Sequence, residues 1–393
     1  MQVITFFFWL TLSLIFYAYL GYPLLLALFV WVKERVRPVS IKQQVSWPSV
    51  TLIIAAYNEA DCITEKLQNA LALDYPPALL EIWVVTDGST DQTRELVLQF
   101  PSVKCFHLAE RRGKIHAIQR VMEEVRSAWV IFTDANAMLE PMSIKALMLA
   151  GSVSEVGVVA GEKRVRKRGA AGGGESLYWR YEAFVKELEG RLYAVTGTAG
   201  ELYAVRTALF SAVPEDTISD DLEIGWAIVQ KGYRIAYAAA AVSYEEEMAD
   251  GQSAFNRRVR VATGSVQSVW RLIREGKTGW HAFFWWEVIS HRVFRTLIVP
   301  YCLPLLYCLN FLLLEEGRIY ALFFLLQTSM YLVAALIWFS ASPRSVIALL
   351  NGVFFFVMVH IAMIKGGWLF LRGRHTVLWD RLPRTKVTME GKN

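Results

Sequence analysis

Two short polar segments in the middle of the chain have the residue types needed to bind a charged ligand. Asp134-Ala135-Asn136 places two oxygen donors two residues apart, directly after an apolar run. Carboxylate and amide oxygens are ligands that hard divalent cations prefer, so this segment could bind a cation. The alternative is an ordinary helix-capping turn. Asp87-Gly88-Ser89 is a weaker signal on its own, because Asp-Gly marks many ordinary turns.

A basic segment further along the chain, Arg257-Arg258-Val259-Arg260, supplies three guanidinium groups within four residues. The planar guanidinium group binds phosphate oxygens in pairs, so the segment is suited to hold a diphosphate. The alternative is that it forms the basic face of a helix next to a membrane.

The elements that must position these residues alternate between strands and helices. Short apolar runs predict five buried strands, and periodic apolar spacing predicts the helices between them. In the first helix, the predicted buried face consists of Ile63, Leu67, Ala70 and Leu71. The second helix is predicted to be capped by Thr90 or Asp91. The predicted strands are 51–56, 82–86, 103–107, 129–133 and 155–161, and the predicted helices are 60–73, 91–100 and 114–125.

This alternation predicts an α/β domain with a mostly parallel sheet and right-handed crossovers. In open sheets of this kind, ligands bind beyond the carboxyl ends of the strands. Polar residues collect at that edge: Asn58 and Glu59 follow the first strand, Asp87 follows the second, and Asp134 and Asn136 follow the fourth. Polar groups at the same end of three strands predict a binding site there.

Apolar residues make up 54% of the 393-residue chain and are concentrated near its two ends. Residues 1–33 are predicted to form a membrane helix, because residues 3–32 contain no charge over a length that can cross a bilayer. The beginning of the chain lacks a basic segment and a cleavage site, which argues against a signal peptide. Lys33, Arg35 and Arg37 follow at once, so the positive-inside rule places residues 45–277 in the cytosol.

Three more apolar stretches, 296–314, 319–343 and 345–364, are each about long enough to cross a membrane. Residues 296–371 are therefore predicted to form the C-terminal membrane helices. Three crossings would leave the tail, 372–393, outside the cytosol, although its basic residues favour the cytosol. One stretch that is re-entrant or interfacial would resolve this conflict, and the sequence leaves the number of crossings open.

Residues 278–295 combine aromatic residues with cations, which predicts a helix lying in the membrane interface. Within it, Ser290-His291-Arg292 is expected to contact lipid head groups. The densest basic run of the chain, 163–168, is expected to form a solvated loop or to contact anionic lipid, and 169–174 a mobile loop. Nucleic acid is not an expected partner, because no aromatic-interleaved binding module accompanies this run.

The order of these segments resembles the family-2 glycosyltransferases of the GT-A fold, specifically the membrane polysaccharide synthases that include poly-N-acetylglucosamine, hyaluronan and cellulose synthases. The matches run in order across residues 50–265. The first part of the series corresponds to the nucleotide-binding elements of the family: Ala55-Ala56-Tyr57-Asn58-Glu59 to the opening turn, Asp87 to the acidic residue that reads the base, Arg112-Gly113-Lys114 to the Gly-Lys element, and Asp134-Ala135-Asn136 to the Asp-x-Asp motif.

The second part of the series corresponds to the family's catalytic and acceptor elements. Ser219-Asp220-Asp221 lies where the family has Thr-Glu-Asp, the segment 257–261 lies at Gln-x-x-Arg-Trp, and 197–203 resembles the acceptor loop. The resemblance implies that Asp221 is the general base and that Asp134 and Asn136 bind the metal. It implies the following contacts: the nucleotide sugar with Ala55, Tyr57, Glu59, Asp87, Lys114, Asp134, Arg257, Arg258 and Arg260, and the acceptor with Gly197, Thr198, Ala199, Gly200 and Asp220.

The activity that this resemblance implies is inverting, metal-dependent transfer of a hexosyl or N-acetylhexosaminyl group. The donor is expected to be a nucleotide sugar, most often UDP-linked, and the cofactor Mg²⁺ or Mn²⁺. The acceptor is expected to be a saccharide or a lipid-linked acceptor in exopolysaccharide or cell-envelope glycan synthesis. The expected setting is a bacterial inner or plasma membrane, in contact with membrane lipid and with export or biosynthetic partners.

Two departures from the family pattern limit what the resemblance implies. Asn136 replaces the second aspartate of Asp-x-Asp, so it brings an oxygen ligand without a charge. Val261 stands where processive synthases have the tryptophan that holds the acceptor, so long-chain synthesis is not the default expectation. Two alternatives stay open: a polyprenyl-phosphate glycosyltransferase that makes a lipid-linked monosaccharide, and a membrane transporter or scaffold without activity.

Overall fold

A computed structural model describes residues 1–36, 46–166, 174–246, 251–275, 279–340, 348–374 and 376–378. The predicted mobile loop, apart from Gly174, and most of the basic tail lie outside these described residues.

One mixed sheet forms the centre of the described chain. Its eight strands are arranged in the order β3-β2-β1-β4-β7-β6-β8-β5. The strands are β1 (Val50–Ala56), β2 (Leu80–Asp87), β3 (Val103–Leu108), β4 (Trp129–Asp134), β5 (Met138–Leu139), β6 (Val156–Arg166), β7 (Leu202–Arg206) and β8 (Arg234–Glu246).

The first four strands are parallel to one another, with β1 between β2 and β4. This confirms the α/β fold with a mostly parallel sheet on the amino-terminal side. Strand β7 is antiparallel to both β4 and β6, whereas β6 and β8 are parallel. The sequence pattern did not predict β5, β7 or β8, and their addition makes the sheet mixed.

Thirteen α-helices pack on the sheet or extend away from it in the described residues. The π-helical segment 17–21 joins the first two helices below into one continuous helix, and the π-helical segment 288–298 joins α10 and α11 in the same way. The helices are α1 (Gln2–Phe16), α2 (Tyr22–Val36), α3 (Ile63–Leu71), α4 (Thr93–Leu98), α5 (Lys114–Met122), α6 (Ser143–Ala150), α7 (Gly174–Leu192), α8 (Asp220–Gln230), α9 (Gly251–Glu275), α10 (Ala282–Glu287), α11 (Val299–Leu312), α12 (Arg318–Phe339) and α13 (Ala348–Leu371).

Buried apolar side chains form a core on each face of the sheet. One core joins α3 and α6 to the sheet, and the other joins α5, α8 and part of α9. In α3 the predicted buried face needs a correction: Leu71 is 45% exposed, whereas Lys66 is completely buried. The N-cap of α4 is Gln92 rather than Thr90 or Asp91, although the Asp91 carboxylate accepts a hydrogen bond from the Thr93 N–H.

Four helices in the described part of the chain are long and apolar enough to cross a membrane: 2–36, 282–312, 318–339 and 349–371. The residues predicted as a separate interfacial helix, 278–295, continue into α11 without a break from Ala282 onwards. Helix α11 leads away from the sheet, and α12 leads back towards it. The beginning of α12 meets α1 at Tyr320 and Phe8, and its end meets α9 at Trp338 and Phe255.

Helix α13 runs alongside α9 for most of its length. Near its beginning, Phe355 packs in one cluster with Phe255 of α9, and near its end Phe370 contacts Trp270. A side chain at Gly366 would collide with the backbone of Thr263, so glycine permits this close approach. Both ends of α13 therefore lie at the sheet domain, and the described residues that follow it, 372–374 and 376–378, are on the same side as the sheet.

Candidate functional site

The turns after β1 and β2 are tied together at the carboxyl edge of the sheet. Asn58 adopts a left-handed backbone conformation, with φ of 52°, and its side-chain oxygen accepts a hydrogen bond from the Thr90 N–H at 2.7 Å. The Glu59 N–H donates to the Thr93 hydroxyl at 2.8 Å. The Arg111 guanidinium lies 3.8 Å from the centre of the Tyr57 ring. The predicted nucleotide-binding turn, with Ala55 at the end of β1, is thus held against the turn that follows β2.

Asp87 is fully buried and orients the turn that leads to Lys114. Its two carboxylate oxygens accept hydrogen bonds from the N–H groups of Arg112, at 2.8 Å, and Gly113, at 2.9 Å. Gly113 has φ of 105°, a conformation that favours glycine. A carboxylate has capacity for further hydrogen bonds, so these contacts are compatible with the predicted role of Asp87 in binding a base.

Lys114 lies between the carboxylates that end β4 and begin α8. Its ammonium group is 2.7 Å from Asp134 Oδ1 and 3.9 Å from Asp220 Oδ2. Burial alone would lower the pKa of Lys114, but these two carboxylates raise it, so the side chain stays charged. Within the described residues, Asp220 Oδ2 is buried and makes no hydrogen bond. A cation and an oxygen acceptor are therefore both directed at the space between β4 and α8.

Asp221 is the next residue of α8 and faces the predicted acceptor loop. The Thr198 hydroxyl donates to Asp221 Oδ2 at 3.2 Å, and a side chain at Gly200 would lie 3.7 Å from the Asp221 carboxyl carbon. Burial and the neighbouring Asp220 raise the pKa of Asp221 to about 7, while Lys114 opposes the shift. A carboxylate with this pKa is suited to take a proton near neutral pH.

The predicted acceptor loop is in contact with a membrane-segment arginine. A side chain at Gly197 would come within 2.3 Å of the Arg292 guanidinium, so any other residue there would displace Arg292. The Arg292 Nε–H donates to the Thr196 hydroxyl at 3.3 Å. Ala199, between Thr198 and Gly200, is buried. Arg292 therefore belongs to the loop rather than to a lipid contact.

His291, next to it, is buried between two carboxylates. Its Nδ1 lies 2.6 Å from Glu189 and its Nε2 lies 3.1 Å from Glu182. The Glu182 carboxylate also binds Arg295, and these two partners hold the pKa of Glu182 well below its ordinary value despite its burial. The prediction that residues 290–292 contact lipid head groups is wrong, because Ser290, His291 and Arg292 each bond within the protein.

Four charged side chains form a buried ion network behind the loop. Lys163 contacts both Glu201 and Glu245, and Arg257 contacts the same two carboxylates at 3.1 and 2.8 Å. Although burial opposes ionisation, Arg257 and Lys163 hold the pKa of Glu245 well below its ordinary value. The expectation that residues 163–168 form a solvated loop is wrong for Lys163, which is buried on β6.

The three arginines of the basic segment point into different surroundings. Arg257 belongs to the ion network, and with Arg260 it lines a cavity of about 230 Å³ next to Thr376. Arg258 lies instead over the rings of Trp179, at 5.2 Å, and Phe355, at 4.9 Å. The structure thus brings Arg257 and Arg260 together but directs Arg258 towards α13.

Asp134 and Asn136 form an oxygen donor pair that fits a shared cation. Asp134 is partly exposed and has one oxygen bound to Lys114, which leaves Oδ2 without a bond to any described residue. The Asn136 amide donates to Glu245 at 3.1 Å, so its oxygen remains for a ligand. Among the described residues, no group of three or more His, Cys, Asp or Glu surrounds a metal position. Such a pair suits a cation that is held jointly with substrate phosphates.

Lys66 holds the turn that carries Asp134 and Asn136. Its ammonium group donates to the Thr133 hydroxyl at 3.0 Å and to the Ala137 carbonyl, one on each side of the 134–136 turn. Burial lowers the pKa of Lys66 to about 7, and Asp134 opposes the shift. Sequence reasoning missed this residue, although positions 63, 66, 67 and 70 share one helix face by their spacing.

Comparisons with known proteins agree with this geometry. The model of a family described as "Glycosyltransferase like family 2" matches residues 48–264. Poly-beta-1,6-N-acetyl-D-glucosamine synthase of Staphylococcus aureus strain MSSA476 is 28% identical over 235 residues, which is 56% of each chain. The same-named enzyme of Staphylococcus epidermidis is 22% identical over 254 residues, or 61% of each chain. The match thus spans little more than half the length of these curated relatives.

A solved structure of the mannosyltransferase PcManGT from Pyrobaculum calidifontis, in complex with GDP-Man and Mn²⁺, is also similar to the chain. The TM-score is 0.72 and the identity 24%, and the match covers 94% of this chain and 100% of the other. The sheet and its helices therefore have the GT-A fold.

Proposed function

Because this chain belongs to the Glycosyltransferase like family 2, we propose that it transfers a sugar from a nucleoside diphosphate sugar to an acceptor hydroxyl, with inversion at the sugar carbon. The observation that carries this proposal is the convergence of Asp221, Asp220, Lys114 and Asp134 beside the glycine-containing loop. The proposed donor is UDP-linked. The proposed acceptor is a saccharide or lipid-linked saccharide in exopolysaccharide or cell-envelope glycan synthesis, as the relatives' names suggest.

The proposed reaction is a single displacement. Asp221 accepts the proton of the acceptor hydroxyl as its oxygen bonds to the sugar carbon, and the bond from that carbon to the diphosphate breaks. Attack opposite the leaving diphosphate inverts the sugar carbon. Lys114, with its charge secured by Asp134 and Asp220, stabilises the negative charge that develops on the diphosphate. Thr198 and Gly200 position the acceptor at Asp221.

Asp134 and Asn136 are the residues proposed to hold Mg²⁺ or Mn²⁺. When bound, the cation neutralises charge on the diphosphate leaving group. Because the protein supplies one carboxylate and one amide oxygen here, we expect cation affinity to depend on the presence of the nucleotide. Arg257 is proposed to act mainly by fixing Glu201 and Glu245, and through Glu245 also Asn136.

The proposed topology has three crossings and a cytosolic transferase domain spanning residues 45–277. The helix 2–36, α11 and α12 cross the membrane, while α13 lies at the interface against α9. Lys33 and Arg35 follow the apolar part of the first helix, which supports a cytosolic sheet domain by the positive-inside rule. This arrangement also places the basic tail in the cytosol and removes the conflict in the number of crossings.

Substitution of the proposed base tests the function. We expect Asp221→Asn to bind UDP-sugar with Mn²⁺ normally in a thermal-shift assay but to lower UDP release by about 10²–10⁴-fold, the usual contribution of general-base catalysis. Asp216→Asn is the matched control, since Asp216 is 69% exposed and pairs with Arg271 at the surface. Full turnover by Asp221→Asn would rule out this role.

One observation favours transfer to polyprenyl phosphate as a second candidate function. The Arg292 guanidinium lies against the acceptor loop, where it could bind an acceptor phosphate. A phosphate oxygen is already a nucleophile and does not need Asp221 as a base. Formation of a phosphoglycolipid from polyprenyl phosphate, undiminished in Asp221→Asn, would therefore establish this candidate instead.

A further inference from the structure

One buried carboxylate, Glu189 of α7, lies between the first apolar helix and the acceptor loop. It is fully buried, and both of its oxygens accept hydrogen bonds. The Tyr22 hydroxyl donates to Oε1 at 2.6 Å. The Thr196 N–H donates to Oε2 at 3.1 Å, and the Thr196 hydroxyl donates to the same oxygen at 3.3 Å. One carboxylate thus connects the helix 2–36 with the residue directly before the loop 197–203.

The second apolar helix contacts the same carboxylate. His291 Nδ1 lies 2.6 Å from Glu189 Oε1. Burial alone would raise the pKa of Glu189, but His291 and the hydrogen bonds lower it, so the group is ionised. An ionised carboxylate only accepts hydrogen bonds, so Nδ1 of His291 is the donor. Arg292, the next residue, donates to the Thr196 hydroxyl at 3.3 Å. The π-helical segment 288–298 therefore reaches Thr196 both through Glu189 and directly.

The position of Thr196 determines how the loop approaches the proposed base. Thr196 is fully buried, and its carbonyl accepts a hydrogen bond from Trp226 Nε1 at 2.9 Å. Two residues later, the Thr198 hydroxyl donates to Asp221 Oδ2 at 3.2 Å. Because only Gly197 separates the two threonines, fixing Thr196 also fixes the point from which Thr198 reaches Asp221.

Helices α2 and α7 are also held together by contacts that do not involve Glu189. Leu26 of α2 packs in one cluster with Val185 and Leu188 of α7. Lys33 donates at 2.6 and 2.7 Å to two carbonyl groups at the end of α7. The Tyr22 hydroxyl can therefore be removed without separating the two helices, which makes its bond to the carboxylate open to a specific test.

We infer that Glu189 is a positioning residue, which holds Thr196, and through it Thr198 at Asp221, when the first apolar helix and the π-helical segment are packed against α7. This inference rests on the proposed transfer, since it assigns the loop to the acceptor and Asp221 to the base. In the described residues Glu189 makes no bond to Asp134, so nucleotide binding with Mn²⁺ is expected to be independent of it.

The first test removes one hydroxyl from each of two tyrosines on the same continuous helix. Tyr22→Phe deletes the bond to Glu189, whereas the control Tyr17→Phe deletes a bond at 2.7 Å to Ser290 of the π-helical segment. The measurement is hydrogen–deuterium exchange of the Thr196 amide in full-length protein in detergent. We expect exchange about fivefold faster in Tyr22→Phe and unchanged in Tyr17→Phe. Equal exchange in the two variants would overturn the inference.

The second test replaces the carboxylate itself. Glu189→Gln keeps one acceptor oxygen, and its amide nitrogen then faces a donor on one side, so we expect the Thr196 amide to exchange faster than in Tyr22→Phe. Glu187→Gln is the matched control, because Glu187 is on the same helix and its side chain is 57% exposed. A Thr196 amide as protected in Glu189→Gln as in wild type would contradict the assignment. If Glu189→Gln does not fold, the tyrosine pair decides.

The pH profile of turnover distinguishes positioning from a general loss of stability. The hydrogen bond from Thr198 favours the ionised form of Asp221, so loosening the loop raises the pKa of that carboxyl group. We expect the acid limb of UDP release from UDP-N-acetylglucosamine to move up by on the order of half a pH unit in Tyr22→Phe and to stay in place in Tyr17→Phe. The charged groups that act on Asp221 are unchanged in both variants: Asp220, Lys114, Glu201 and Arg292.

The two readouts separate failure of this inference from failure of the proposed function. Slower turnover in Tyr22→Phe with an unmoved acid limb would show a structural role for Glu189 and overturn its positioning role. Absence of UDP release by wild type would instead contradict the proposed function. In that case exchange of the Thr196 amide still decides whether Glu189 holds the loop, because that measurement does not require activity.

Discussion

The charged side chain at the end of β4 borders an open edge of the sheet, whereas the charged side chains around β6 and β8 are buried against one another. The Asp134 side chain, on the first side, is 30% exposed, while Lys163 and Glu245, on the second, are 5% and 1% exposed. We call these the donor side and the acceptor side of the sheet. The Asp134 carboxylate on the donor side is accessible to a ligand, and the charges on the acceptor side neutralise each other.

The basic segment 257–260 belongs in part to the buried acceptor side, through Arg257. A buried ion pair contributes little net stability compared with an apolar pair, but losing one partner is costly because the other charge stays buried. Arg257 is therefore better understood as part of a scaffold that joins α9, β8 and the acceptor loop. Lys114, which borders the donor side, is the cation that we expect to act directly on the diphosphate.

The largest expected effect comes from breaking the acceptor-side network. We expect Glu245→Gln to lose about 3–5 kcal/mol of stability, because Lys163 and Arg257 are then left with one carboxylate, Glu201, between two buried cations. The pKa of Glu245 is held low. Its contribution to the free energy of unfolding is therefore fully present above the ordinary pKa of a glutamate and is lost as the pH falls below it. Thermal unfolding at pH 7 and pH 4 checks both points.

The control for this substitution is Glu246→Gln, since Glu246 is the next residue and is exposed. Similar losses of stability in the two variants would show that the buried network is not a special feature of the acceptor side.

Removal of the donor-side cation should affect turnover. We expect Lys114→Met to lower kcat by about 10²–10³-fold, the usual cost of removing one group that stabilises developing charge. Steady-state release of UDP measures this loss. Lys104→Met is the control, because Lys104 is 59% exposed and pairs with Glu81 at the surface. An effect on KM alone would mean that Lys114 contributes only to ground-state binding.

The raised pKa of Asp221 should make its removal stabilising in a pH-dependent way. Between its ordinary pKa and about 7, the unfolded chain ionises this group while the folded protein holds it protonated, so folding becomes less favourable as the pH rises. We expect Asp221→Asn to increase the free energy of unfolding relative to wild type by on the order of 1–3 kcal/mol at pH 8, seen as a higher Tm, and to have little effect at pH 4. A stability difference between Asp221→Asn and wild type that is the same at pH 4 and pH 8 would contradict the raised pKa of Asp221.

The smallest expected effect concerns the support beneath Asp134 and Asn136. We expect Lys66→Met to raise the Mn²⁺ concentration needed for nucleotide binding by about tenfold, because residues that orient metal ligands usually matter by this amount. Titration of Mn²⁺ at fixed UDP-sugar measures it. Lys145→Met, which removes a lysine that pairs with the exposed Asp74, should leave the titration unchanged.

The same contrast separates what the sequence could predict from what it could not. Donor-side strands are short apolar runs in a regular alternation with helices, and their polar residues follow each strand directly, so both elements and site edge were predictable. The acceptor side depends on pairs such as Lys163 with Glu245, which are 82 residues apart. Spacing along the chain does not indicate which distant carboxylate meets a given cation.

The environment of Val261 is a further example. The family pattern identified it as the position of an acceptor-binding tryptophan, and it lies on α9 with half of its surface exposed. The same helix buries Phe255 and Val259 against α13, an association that no motif within the 257–261 segment indicates. The packing of α9 against α13, about a hundred residues later in the chain, therefore decides into which surroundings each arginine of the segment 257–260 points.

The contact between Gly197 and Arg292 has a consequence for how the protein matures. Arg292 follows Thr196 by 96 residues and is carried by a helix that is long and apolar enough to cross a membrane. During synthesis, the acceptor loop emerges from the ribosome well before the side chain that completes it. The contact between the loop and Arg292 therefore forms only after that helix has been made and has packed against the sheet domain.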